Sequence, residues 1–442
     1  TYHRGIEMID LPNFKLWLMD TFTYKERTIS NIVSRFKRAD SLVKWHNNAV
    51  YQFQLEQCPQ FQELSATVRS QIKKAVKLYF EYEKQSKAQI RNEGSHKMKA
   101  LSLFANVGVA EAYLDRIGIE VVIANELIER RAALYSKIYP HTHMICGDIT
   151  NHNIKKKIIS ASVEKDVDIV MATPPCQGMS TAGQQISDDV RNKLICEVVD
   201  IVTKLKPRYV FIENVPLFYN TEIKINGKKI LIPTYLKDRL SDIYVINSYT
   251  IDTKDYSVPQ TRERAIILMS RKSEKEWVLP AKDDKIITMR DAIGDLPMLD
   301  PYVKDVDDSE REKMFPHYTE RKNVALAISP WHKPPEHIKR QIIAMQHTAT
   351  GCTAFDNPVY FPIKENGTPV KGYHNTYKRQ NWDTPAYTVT MDNRKISSQN
   401  NVHPGRIEYV DKNGENIYSD ARTLTLFELM KIMSLPEDWP VP

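Results

Sequence analysis

From residue 28 to 55, and again from 63 to 91, apolar side chains recur at helical spacing, with Ile29, Ile32, Val33 and Phe36 in the first stretch and Val68, Ile72, Val76 and Tyr79 in the second. The remainder of both stretches is polar and rich in Lys and Arg, so the spacing predicts amphipathic helices that share one small core. AsnGluGlySerHisLys at 92 to 97 reads as a linker. Beyond it the period changes. Short apolar runs appear at 99 to 104, 121 to 125, 168 to 172, 209 to 212 and 265 to 269, separated by longer mixed segments. Runs of this length suit buried strands, and their alternation with helical stretches predicts an α/β lobe built on a mostly parallel, doubly wound sheet. After residue 270 the alternation stops, and 271 to 383 mixes proline, charge and aromatic residues without a steady period.

Most of the strand-like runs end on a polar group with chemical potential. AspIleValMetAla, 168 to 172, leads through ThrProPro to Cys176. TyrValPheIle is followed by Glu213, and AlaIleIleLeuMet is entered through GlnThrArgGluArg, which sets Arg262 and Arg264 two apart on one face of a strand start. A lone cysteine is more often a small buried hydrophobe, Glu213 can cap a helix, and arginines are common at surfaces. Strand ends along one edge of an open α/β sheet nevertheless converge on one pocket, where such sheets hold their ligands. On the other half, LysAlaLeuSerLeuPheAlaAsnValGlyVal at 99 to 109 runs from strand to helix through a glycine-containing turn. Glu126 closes the next strand and Asp148 follows the one after. That arrangement suits an adenosine-like ligand, and a nicotinamide dinucleotide fits it as well as any other.

Composition changes the picture little. The chain has 442 residues, of which 42% are hydrophobic, enough for a substantial core in two or three domains. A formal net charge of +7 permits a polyanionic partner without requiring one. No run approaches the roughly 18 consecutive apolar residues of a membrane span, and the first residues do not read as a signal peptide. The five cysteines, at 58, 146, 176, 196 and 352, show neither paired spacing nor Cys-x-x-Cys, so no disulfide framework and no structural zinc site is expected. A reducing cytosol is the consistent compartment.

ProProCysGln at 174 to 177, GluAsnVal at 213 to 215 and Gln-x-Arg-x-Arg at 260 to 264, in this order, resemble the catalytic motifs of the DNA cytosine-5 methyltransferase family of bacterial restriction and modification systems. The likeness spans about 99 to 269 and resumes near 384, where ArgThrLeuThrLeuPheGluLeuMet at 422 to 430 is similar to a late helical motif. The resemblance implies a Rossmann-like, S-adenosylmethionine-dependent methyltransferase lobe, an α/β fold with a mixed target-recognition domain and a small N-terminal helical domain. The expected partition is 1–94 helical, 95–270 catalytic and cofactor-binding, 271–383 target recognition, and 384–442 returning to the catalytic lobe. The reaction it implies begins with addition of the Cys176 thiolate to carbon 6 of a flipped-out cytosine, which makes carbon 5 nucleophilic. Glu213 would protonate ring nitrogen 3, Arg264 would hold the base carbonyl, and Arg262 would add positive field.

For the cofactor, the resemblance implies Glu126 at the ribose and Asp148 at the adenine amine, with Phe104, Ala105, Asn106 and Gly108 in the turn and Leu127, Ile149, Pro175 and Leu194 as walls. In the loop 177 to 190, which the family closes over DNA, Gln177, Ser180 and the following Arg191 are expected at the backbone. Lys378 and Arg379, with Gln380 and Asn381, are candidates for bases or phosphates. Two departures stand out. Asn106 and Val109 replace glycines of the usual turn, with Asn106 able to adopt left-handed angles and Val109 suggesting helical ones. The chain also shows no Gly-Asn-Ser or Gly-Asn-Ala motif before TrpProValPro at 439 to 442. Double-stranded DNA is the expected partner of a protein that acts as a monomer in the bacterial cytoplasm and nucleoid, with a restriction endonuclease as its genetic partner. A transfer-RNA substrate is disfavoured because Cys352 lies in GlyCysThrAlaPhe, not CysPheThr. Intact catalytic motifs likewise argue against a regulator that has lost catalysis. The helical unit at 28 to 38 is read either as a DNA-contacting arm or as an amphipathic helix packing on the catalytic lobe or on a second subunit.

Overall fold

The computed structural model describes residues 9–46, 50–90, 97–175, 193–357, 364, 366–368, 376–390, 396, 401–437 and 439, the side chains of 84–90 excepted. Two compact units divide the chain: residues 94–286 with 438–442, and residues 1–93 with 287–437.

The first of these units is built on a seven-stranded sheet of β1 (Met98–Leu103), β2 (Ile119–Glu126), β3 (His143–Cys146), β4 (Ile169–Ala172), β5 (Tyr209–Asn214), β6 (Tyr244–Asp252) and β7 (Glu263–Arg271). Their spatial order is β3-β2-β1-β4-β5-β7-β6. The first five run parallel, and β6 and β7 form an antiparallel edge. Side chains alternate faces along a strand, so each strand feeds two cores. Leu101, Leu103, Val170, Ala172, Val210 and Ile212 enter the larger one, which helices His152–Glu164, Leu194–Leu205 and Ile232–Leu240 supply with Ile158, Val198, Val202 and Leu236. Ala100, Ile169, Met171 and Tyr209 turn to the other face, where the Trp277 ring stacks on Tyr209 at 4.5 Å. Burial on both faces is why these strands read as continuous apolar runs rather than as alternation.

In the other unit, helices α1 (Leu11–Thr21), α2 (Glu26–Leu42), α3 (Tyr51–Gln57) and α4 (Ala66–Ile90) enclose an aromatic core. Ile29, Ile32, Phe36, Ile72, Val76 and Tyr79 are buried in it as the spacing predicts, and Phe36 stacks on Tyr79 with ring centres 3.8 Å apart. Val50, at the mouth of α3, belongs instead to a cluster with Met289, Ile293, Trp382 and Phe427, so the helical lobe and the segment 287–437 share apolar packing.

That segment is organised by buried charge. Arg422, fully buried, spends all five N–H groups: on the Leu299 and Thr423 carbonyls, on Asp420 at 2.8 Å, and on both oxygens of Glu428 at 2.8 Å. Glu428 also accepts the Thr425 N–H in the capping box that opens α5 (Leu426–Ile432). Burial disfavours the Glu428 carboxylate, but the Arg422 charge outweighs it and holds its pKa down at about 2. Burial keeps the neighbouring His332, His337 and His403 neutral, pushed down to about 4. Arg379, expected at a DNA surface, is instead fully enclosed, with its guanidinium donating to the carbonyls of Met345, His403, Ser419 and Asp420. A Cβ on Gly405, at φ +71, would lie 2.4 Å from Arg379 Nη1, so a glycine there makes room for the guanidinium. Among the described residues no helix is long and apolar enough to cross a membrane.

Candidate active site

Glu213 and Arg264 meet at the carboxyl end of β5. Glu213 lies directly opposite Ile266 on β7, and Arg264, two residues earlier on that antiparallel strand, is its diagonal neighbour on the same face. The result is an ion pair of 2.7 Å between Arg264 Nε and Glu213 Oε1, with side chains 16% and 28% exposed. Enough of both remains accessible for a substrate to engage them.

Asn214, the next residue on β5, points to the opposite face and is 3% exposed. Its Nδ2 donates to the Pro174 carbonyl at 3.0 Å, while its Oδ1 accepts the Val215 N–H at 2.9 Å. Thr173 is tied to β1 as well, its N–H donating to the Leu103 carbonyl at 3.3 Å and its hydroxyl to the Phe104 carbonyl at 3.2 Å. The segment that leads into Cys176 is thus fastened between the ends of two strands. Cys176, Gln177, Ser180 and Arg191 lie outside the described residues.

Arg262 stands just before β7. Its N–H donates to Asp252 Oδ1 at 2.9 Å and its carbonyl accepts the Thr253 N–H at 3.1 Å. Burial raises the Asp252 pKa, but hydrogen bonds from Lys254 and the Arg262 backbone outweigh it and hold the carboxyl below its usual range. This charged staple fixes the backbone from which Arg262 and Arg264 project.

At the ends of β1, β2 and β3 the backbone takes unusual angles. Phe104, Asn106 and Gly108 have φ of 58, 52 and 80. Asn106 therefore stands in for glycine in the left-handed region, and Val109 opens a 3-10 turn with no such need. Both Glu126 oxygens accept backbone N–H groups, from Asn106 and from Ile128, each at 2.9 Å. The carboxylate that ends β2 thus ties down the turn that follows β1. Asp148 Oδ1 accepts the Thr150 N–H and hydroxyl, Ile149 is buried, and Leu127 is 62% exposed.

Two tyrosines one helical turn apart on Glu129–Ile138 and its cap hold this turn from beneath. Tyr139 donates to the Gly108 carbonyl at 2.6 Å, and a Cβ on Gly108 would fall 2.1 Å from the Tyr139 ring. The Tyr135 hydroxyl contacts buried Glu111, whose pKa burial pushes up to about 7 against the pull of Ser102 and Tyr135. Trp439 Nε1 donates to the Tyr139 hydroxyl at 3.3 Å. An apolar helix face predicts core tyrosines, so nothing in the sequence singled out Tyr135, Tyr139 or Glu111. Asn214, by contrast, was visible within GluAsnVal, although its partner was not. Lys378 lies with its ammonium 4.8 Å from the Tyr387 ring centre, in the other unit.

A turn of left-handed residues after the first strand, followed by an acid at or just past each of the next two strand ends, fits a cofactor with an adenosine half. Comparison with known proteins narrows the choice. Residues 98–442 match the C-5 cytosine-specific DNA methylase family. The Type II methyltransferase M1.HgaI of Avibacterium volantium is 41% identical over 347 residues, 77% of this chain and 89% of that protein. M1.HphI of Haemophilus parahaemolyticus, also a Type II methyltransferase, is 26% identical over 343 residues, 77% of this chain and 78% of its own. Among solved structures, an Escherichia coli prophage protein described as a DNA modification methyltransferase shares the fold with a TM-score of 0.52 at 20% identity, covering 78% of this chain and 90% of its own. The order of the motifs, the strand ends that carry them and the length of the match agree: the chain belongs to the C-5 cytosine-specific DNA methylase family, and its activity is that of a DNA cytosine-5 methyltransferase.

Proposed function

We propose that this chain is the modification enzyme of a Type II restriction and modification pair, and that it methylates a flipped-out cytosine through a covalent adduct on Cys176. The observation that carries the reading is the Glu213–Arg264 pair at 2.7 Å, on the same sheet edge as the Asn214-held segment that leads into Cys176. The names of the relatives support the restriction link. A cytosine within the duplex cannot reach this edge, so it must leave the stack. The Cys176 thiolate then forms a bond to carbon 6, and the displaced ring electrons move toward nitrogen 3 and carbon 5. Glu213, once it has taken a proton from solvent, delivers it to nitrogen 3 and so neutralises the charge that addition creates, while Arg264 donates to the base carbonyl. Arg262 contributes positive field that favours the thiolate, since an ordinary thiol with a pKa of about 8.5 is mostly protonated at neutral pH.

S-adenosylmethionine, when bound, supplies an electrophilic methyl group. The turn of Phe104, Ala105, Asn106 and Gly108 would hold it together with Glu126 and Asp148, and Leu127, Ile149, Pro175 and Leu194 would wall the site. After methylation, water takes the carbon 5 proton, Cys176 leaves as thiolate and nitrogen 3 returns its proton to Glu213, which restores the aromatic ring. Gln177, Ser180, Arg191 and Lys378 are assigned to DNA contact. Arg379 is not, because its donors are already taken by carbonyls.

Glu213→Gln keeps the shape of the side chain and removes the proton. Its methyl-transfer rate is expected to fall by about 10²–10⁴-fold, with cofactor affinity by calorimetry little changed. An unchanged single-turnover rate would remove the acid role from Glu213. The whole reading is tested by incubation with labelled S-adenosylmethionine and DNA containing 5-fluorocytosine, in which fluorine blocks the last elimination. Label retained on the peptide containing Cys176 after denaturation supports it. Methyl transfer to unmodified DNA without any trapped peptide would overturn the covalent route.

A further inference from the structure

The outward face of α2 has no role in the chemistry above, and it lies before the family-matched span, which begins at residue 98. Its exposed positions include Arg27, Ser30, Asn31, Ser34, Lys37 and Arg38, which fall on two adjoining helical stripes. No acid occurs between 27 and 39. The two acids of α2 sit at its ends, with Glu26 4.0 Å from Lys15 and Asp40 turned onto the Trp45 N–H at 2.8 Å and Lys44. Within the described residues Arg27, Lys37 and Arg38 form no ion pair, so three cations stand among short hydroxyl and amide side chains.

We propose that this face is an auxiliary binding surface for the phosphate backbone of duplex DNA, outside the segment expected to read the target; the proposal rests on the DNA-methylating reading above. Arg and Lys interleaved with Ser and Asn are the groups that contact phosphate and sugar, whereas a protein partner would call for an aromatic or aliphatic anchor. On α2 such an anchor is lacking: of its large apolar side chains Ile29, Ile32 and Phe36 are buried, and Val33 and Leu42 are half-buried. From Arg27 to Arg38 the stripe is about 17 Å long, roughly five base pairs of duplex. The face is also held rigidly, because the inner side of the same helix is fixed in the aromatic core through Phe36 and Tyr79. Val50 joins that lobe to the core of 287–437, so DNA bound at α2 bears on the same unit.

The test is a salt titration of DNA binding by the full chain and by the triple variant R27A/K37A/R38A, read by fluorescence anisotropy on a labelled duplex several turns long. Methyl transfer to unmodified phage DNA is measured in parallel. The variant should retain wild-type helicity and its rate at saturating DNA, while its slope of log affinity against log salt becomes shallower by about 2 to 3. A slope and affinity equal to wild type, with methyl transfer intact, would overturn the DNA surface. Retention of an acidic protein competitor by α2 without any change in the DNA slope counts against it equally. Absence of methyl transfer from the wild-type chain would instead strike the enzymatic reading, since the salt slope is measured without turnover.

Discussion

Cys176→Ser is expected to bind unmodified duplex DNA as the parent does and to methylate it more slowly by a factor on the order of 10⁴ or more. A few per cent of an ordinary thiol is thiolate at neutral pH, and that thiolate is intrinsically a strong nucleophile; a serine hydroxyl offers neither property without a strong base beside it. In the proposed mechanism Glu213, which lies 2.7 Å from Arg264, acts on the base, so no strong base is assigned to deprotonate an alcohol. Initial rates with labelled cofactor, beside equilibrium DNA binding, check the outcome. Turnover within about tenfold of the parent would remove Cys176 as nucleophile. Cys146→Ser and Cys196→Ser are the matching controls and should keep full activity. Burial pushes both of those thiols up, and at Cys146 the nearby Glu129 and Glu126 charges add to it, so neither is primed as a thiolate.

The second large effect is on stability. Arg422→Met should lower the unfolding free energy of the unit containing 287–437 by about 3–5 kcal/mol, because it removes the close charge partner of two buried carboxylates and leaves Asp420 only Arg406, 3.8 Å away. Asp420 and Glu428 are each fully or almost fully buried, and each takes a 2.8 Å hydrogen bond from Arg422. Methionine fills much of the volume, so the loss is mainly one of charge compensation. The double variant Arg422→Met/Glu428→Gln, which removes one stranded charge with it, should recover part of the loss. Urea unfolding followed by hydrogen exchange across 287–437 gives the measurement, and exchange also reports a variant too unstable for a full urea curve. A loss below about 1 kcal/mol in the single variant would show that the cluster adds little to this unit.

Much of this protein could be read from local pattern. The period of 3.6 at Ile29, Ile32 and Phe36 depends only on neighbours along one helix, and those residues are buried on one side of α2. The apolar runs at 169 to 172, 209 to 212 and 265 to 269 are strands for a similarly local reason, since burial on both faces leaves no polar alternation. Glu213, Arg262 and Arg264 were legible as candidates because each sits at the end of such a run. Asn106 was readable too, as the residue best able to replace glycine at a left-handed position.

Other features depend on which distant segments meet. Lys378 and Arg379 are adjacent and look equally fit for DNA, yet Lys378 lies over Tyr387 while Arg379 is enclosed by carbonyls from 345, 403, 419 and 420. Strand and helix periods say nothing about partners 20 to 40 residues away, so no local pattern separates the two. Tyr135 and Tyr139 carry an ordinary core pattern, and only the approach of the Gly108 turn makes them its clamp. Val50, likewise, belongs by sequence to the helical lobe and by packing to the core of 287–437. Local pattern was enough for the helices of 28–91, the buried strands of 98–271 and the chemical groups at their ends, because these follow from bonded geometry and the polarity of near neighbours, whereas the helices within 289–346 gave no steady period. The tertiary structure alone decided which of those groups were desolvated, paired or left open to a substrate, because burial is a property of surfaces brought together from far apart in the chain.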